Sequence, residues 1–148
     1  GMGEAAAKSG DPVITSTITV SLSGGCMTGF NDSNSEAIDV WSAGGPLNVT
    51  ATNIEISNWG WGIWVGGSGV AMDANHNSIT GNTIGYDGSG TCTHLAELNW
   101  WGNAGGPGVG GANPVVGAGV YYTPWLTVGT DLNAGCGFTP LADAASLR

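Results

Sequence analysis

Ile38-Asp39-Val40-Trp41 is answered 25 residues later by Ile63-Trp64-Val65-Gly66, and 21 residues further on by Ile84-Gly85-Tyr86-Asp87. Each is a short alternating segment, the period of a strand with one buried face. Working outward, Ile56-Ser57-Asn58-Trp59 matches Thr80-Gly81-Asn82-Thr83 at a spacing of 24 residues. Upstream of these, Asn53-Ile54-Glu55-Ile56 and Asn77-Ser78-Ile79 supply a second set of short strands.

A period of this size fits one coil of a solenoid. At about 3.3 Å per residue, a five-residue strand spans roughly 17 Å, so three strands and their turns bring the chain back over its start. The next coil then pairs in parallel about 4.8 Å away. This predicts an interior ladder of Ile38, Ile63 and Ile84, and a second ladder of Asn58 over Asn82 at a bend. Stacked amides donate to and accept from the next copy, and Asn tolerates the left-handed backbone of a sharp turn. A β-sandwich is the alternative, and it requires hairpin turns every 8–12 residues or so. Asp87-Gly88 would suit one such turn, but the offset copies favour the solenoid.

The stretch from Asn77 to Gly85, NSITGNTIG, resembles the repeat of right-handed parallel β-helix proteins. Leu98-Asn99-Trp100-Trp101-Gly102, Gly106-Pro107 and the run from Val120 to Leu126, VYYTPWL, resemble the last coil and closure of bacterial extracellular members. The resemblance implies an all-β chain, a short right-handed parallel β-helix of about four or five coils at roughly 22 residues each. The helix is expected over 11–126, with its closure at 98–126 and an extension over 127–148. Trp100 and Trp125 are expected to be buried in that closure. Gly1 before Met2 reads as a cleavage scar, with 1–10 a tag remnant and flexible tail. Ile18 to Leu22 forms a first coil or a cap. The open coil end would be covered by a homodimer contact or by the rest of a longer chain.

Composition narrows the function. The 148 residues carry a formal charge of −9, with two basic side chains against eleven acidic ones. Nucleic acid and anionic membrane surfaces need clustered Lys and Arg, so neither is expected as a partner, and with no run approaching about 18 apolar residues no membrane insertion is expected. Only 9% of residues are charged while 28 are Gly and seven are Trp, which suits a turn-rich β protein rather than a helical one. Low charge with abundant Asn, Thr, Ser and Gly points to a secreted or cell-surface chain whose leader is removed.

The resemblance also raises polysaccharide lyases and glycoside hydrolases. A lyase needs a basic catalytic residue, and the only ones here are Lys8 in the tail and Arg148 at the end. A glycosidase needs two carboxyls across the bond, and Asp39 and Asp87, facing outward about 9.6 Å apart, are the candidates. His76 and His94 lie in no nucleophile context. The glycines of 102–111 lack the Lys-Ser/Thr of a phosphate loop. Zinc would recruit Cys92, His94 and His76, but no paired CxxC is present. Calcium would use Asp73, Asn75, Asn77 or Asp87, although no EF-hand or repeat loop frames them and polar turns explain them as well. Cys26, Cys92 and Cys136 allow one internal bridge and one free thiol.

Tryptophan carries the remaining signal. Trp41, Trp61 and Trp64 fall on neighbouring coils, and an exposed indole offers a flat apolar face to a sugar ring. Trp64, flanked by Gly60, Gly62, Gly66 and Gly67, is the foremost candidate. The expected function is a non-catalytic extracellular module, structural or carbohydrate-binding, with no cofactor. The alternative is a truncated or divergent polysaccharide lyase or glycoside hydrolase.

Overall fold

The computed structural model describes residues 16–141. The 1–10 tail, Lys8 and Arg148 lie outside them. The described chain is a parallel β-solenoid of about four turns, nearly without helix. Its strands in chain order are β1 (Ile18–Ser23), β2 (Cys26–Thr52), β3 (Glu55–Asn75), β4 (Ser78–Thr80), β5 (Ile84–Gly88), β6 (Thr91–Leu95), β7 (Val115–Val116) and β8 (Val120–Tyr121). β2 and β3 are long because each runs round bends of the coil without losing its neighbour. Every strand pairing is parallel. Among the described residues the only antiparallel bridge joins Asp131 and Pro140. The β-sandwich is therefore excluded.

Three sheet faces enclose the core. The first stacks β1 on 47–52, 70–75, β6 and β8. The second stacks 26–28 on 55–57 and β4, with Trp100 bridging Ser78 beyond. The third stacks the middle of β2 on the middle of β3, then β5 and β7. Inward side chains form columns, as parallel register requires. On the first face Val49 stands over Met72, and on the second Ile56 stands over Ile79. On the third Ile38 stands over Ile63. All of them are buried.

Two expected registers are corrected. Tyr86, not Ile84, follows Ile63, and Ile84 pairs with Trp61. The third coil is two residues longer here than the spacing of isoleucines suggested. Because strand side chains alternate, a two-residue slip keeps the same face inward, so the column survives with tyrosine in it. Asn58 does not stack on Asn82. Asn58 occupies the left-handed corner position at φ 64°, above Gly81 at φ 65°. Asn82, one residue on, turns inward and donates from Nδ2 to Asn113 Oδ1 at 3.0 Å. A second interior amide pair, Asn77 and Asn99, lies at the preceding corner.

Each bend is thus a column of left-handed residues. Asn53, His76 and Leu98 make the first, at φ 58°, 56° and 57°. Gly67, Gly90 and Gly117 make the third, at φ 81°, 70° and 103°. At that third bend only glycine fits, since a methyl on Gly90 would strike the Gly67 carbonyl and one on Gly117 the Gly88 carbonyl.

The closure departs from expectation at both tryptophans expected to be buried, Trp100 and Trp125. Trp101 is the buried tryptophan, at 2% exposure, while Trp100 and Trp125 are only partly covered. Trp125 lies on Gly106 and donates from Nε1 to Ala104 O at 3.0 Å. The chain then turns back along the solenoid. Gly129 passes over the Trp100 ring, Phe138 exchanges two 3.0 Å bonds with Asn53, and Cys136 joins Cys26 in the first coil. Residues 127–141 therefore form a strap running against the direction of winding. At the other end, Ile18 is 43% and Phe30 97% exposed, and no described strand covers the outer edge of the first coil.

Candidate functional site

The outer side of the third face gathers the aromatic and acidic side chains singled out in the sequence. Asp39 pairs with Trp64, and Trp64 with Asp87, so the three occupy successive rungs of one outward column. Gly85, two residues before Asp87, is buried and faces Asn113. Glu36 pairs with Trp61 on the same two coils. Trp61 donates from Nε1 to Asp87 Oδ2 at 3.2 Å, which ties its indole across to the next coil.

Glycines make the surface flat. The Trp64 ring lies over Gly66, in space that a side chain at 66 would fill. Trp41 lies beside it, its Nε1 held 2.9 Å from where a Gly67 methyl would sit. Trp41 pairs with Gly66 in the ladder, so the two indoles share one floor of bare backbone. Trp41 is 38% exposed and Trp61 and Trp64 are half-buried. Asp39 is exposed at one end of the Trp64 column and Asp87 is half-buried at the other. Two strand spacings, about 9.6 Å, separate their backbones. Trp64 occupies the rung between them, with its ring displaced along the strand over Gly66.

The metal-ligating candidates do not converge. Cys92 lies 3.6 Å from Gly67 O, His94 points into the core, and His76 Nδ1 lies 2.7 Å from Asn75 Oδ1 at a corner. Asn75 donates to Asp73 at 2.9 Å, Asn77 is spent inside the solenoid, and Asp87 is on another face. Among the described residues, the one group of three metal-ligating side chains is Cys26, Glu55 and Cys136, and its two sulfurs are joined as a disulfide.

A buried titratable pair was not legible in the sequence. Tyr86 from the third face meets His94 from the first, with Oη 3.0 Å from Nδ1 and the rings edge to face. Gly88 leaves the space the imidazole fills. Burial first, with Cys92 and Asp73 behind it, pushes the Tyr86 phenol up. Tyr86 Oη and His94 Nδ1 share one proton in this bond, and His94 Nε2 is buried without a partner. Burial holds the His94 pKa below its usual value, against the opposing pull of the Ser89 backbone and Asp87. The unfolded chain then takes up a proton that the folded chain resists. The stability this group supports is complete above the unfolded value of about 6.5 and is lost as pH falls through it toward the lowered one. His94→Phe is expected to flatten the pH–stability curve below about pH 6.5. Equal slopes for the two proteins in urea titrations would remove His94 from that account.

Comparison with known proteins adds no further constraint: no family model, curated protein or solved structure matches the chain.

Proposed function

We propose that this chain is a non-catalytic extracellular module of a bacterial surface or secreted protein, and that it holds carbohydrate on the outer side of its third face. The observation that carries this reading is the pair of indoles, Trp41 and Trp64, laid on the backbone of Gly66 and Gly67. An aromatic ring with one side on bare backbone turns its other side to solvent, where a sugar's C–H face stacks on it. Trp61, anchored by Asp87, extends the platform toward the next coil. The Cys26–Cys136 bridge suits an oxidising compartment. A lyase or hydrolase reading gains no support from Asp39 and Asp87, which the Trp64 rung divides.

The test is a titration of neutral oligosaccharides followed by tryptophan fluorescence and calorimetry. A saturable change is expected, and Trp64→Ala should weaken binding about tenfold or more. No heat and no spectral change across the panel would leave a structural spacer. Release of reducing ends or unsaturated products that Asp39→Asn abolishes would make the chain an enzyme.

A further inference from the structure

We propose that the ligand of this face is a polycationic glycan, a chain of amino sugars carrying free ammonium groups. The inference rests on the carbohydrate reading above and adds the chemical class. Its basis is charge complementarity on a sheet face that no described element covers. Glu36 borders Trp61, while Asp39 and Asp87 border Trp64 on its two sides, so these two indoles have a carboxylate on an adjacent rung. Across 16–141 there is no Lys or Arg to neutralise them, whereas Asp32, Glu55, Asp73, Glu97 and Asp131 add to the negative field. The whole chain carries −9.

Three classes of glycan meet this surface differently. A uronic or sulfated chain would bring like charge against carboxylates with no Lys or Arg beside them among the described residues, and the net field repels it before contact. A neutral chain gains the stacking and hydroxyl hydrogen bonds to the carboxylates, but no charge attraction. An ammonium-bearing chain gains the charge attraction too, because a cation over an indole face is attracted by the ring and by the carboxylate beside it. The rungs repeat at about 4.8 Å, close to the length of one sugar unit, so successive rings and amines can follow successive rungs. Trp61, fixed to Asp87 at 3.2 Å, holds indole and carboxylate together before any ligand arrives. Pre-ordering of that kind lowers the entropy that binding must overcome.

The experiment uses the full chain and four probes: glucosamine oligomers, the same length fully N-acetylated, a neutral glucose oligomer, and oligolysine of matching charge. The free-amine chain should bind about tenfold more tightly than its acetylated form. That ratio should shrink as salt is raised, and shrink again in the Glu36→Gln, Asp39→Asn double variant. Trp64→Ala should weaken the amine and acetylated chains alike. Equal affinities for both sugar chains would overturn the inference and leave the carbohydrate reading standing. Oligolysine binding as tightly as the amino sugar, and insensitive to Trp64→Ala, would overturn it in favour of unspecific polyanion attraction. Silence from all sugar probes would bring down the carbohydrate reading, and this inference with it.

Discussion

Cys26→Ser with Cys136→Ser will cost this chain about 4–5 kcal/mol of folding stability, read as a fall in the urea midpoint with a steeper slope, because the opened chain unfolds to a more exposed ensemble. The bridge spans 110 residues and closes nearly the whole described solenoid into one loop. Opening it returns that conformational freedom to the unfolded chain. In the folded chain the consequence is local. The strap over 127–141 keeps the paired Asn53–Phe138 contact and the Gly137 N–H bond to Glu55, at 3.3 Å, but loses its covalent end. Proteolysis should then begin within the strap, while the buried columns of Ile38 and Ile63 stay protected. Cys92→Ser is the control. That thiol packs at the edge of the core and makes its polar contacts with the Gly66 and Gly67 carbonyls at 3.7 and 3.6 Å, so an isosteric serine should move stability by no more than about 0.5 kcal/mol. A drop below about 1 kcal/mol for the double serine variant would mean that Phe138 and Asn53 hold the strap unaided.

How far the sequence revealed this arrangement depends on which signal each element carries. Ile38 over Ile63 was legible because both copies alternate cleanly and both place an aliphatic side chain inward. The next copy was misread by two residues because the inward residue there is Tyr86, and matching like with like selected Ile84 instead. The outward column fared better, since Asp39, Trp64 and Asp87 do share it. The amide ladders were misaligned for a related reason. Asn58 and Asn82 are the same residue type in two different jobs, one holding a left-handed bend and the next turning inward to bond backbone. Nothing in a one-dimensional pattern separates those jobs, because the distinction is set by φ and not by hydrophobic period. The cysteine pairing and the Tyr86–His94 contact were beyond reach altogether. Each joins different parts of the wound chain, and only the winding brings them together.

Asn77→Leu is the second substitution with a large expected effect, about 3–5 kcal/mol. Asn77 is fully buried, yet every polar atom of its amide is used. Its Oδ1 accepts the Ile54 N–H at 3.0 Å, and its Nδ2 donates to Ala51 O at 2.9 Å and to Asn99 Oδ1 at 3.0 Å. Leucine of similar size fills the space but leaves the Ile54 donor without an acceptor and Ala51 O without this donor. Each buried group so orphaned costs roughly 1–3 kcal/mol. The contrast is Asn58→Gly, at a corner where the left-handed φ of 64° is the whole requirement; glycine meets that requirement, and the cost should stay under about 1 kcal/mol. Amide exchange at Ile54 separates this account from simple overpacking. In Asn77→Leu that proton should exchange far faster, while Ile63, whose column the amide does not touch, keeps its protection. Retained protection at Ile54, or a loss of stability below about 1 kcal/mol, would mean that the left-handed bend alone sets the turn and that the interior amides merely occupy it.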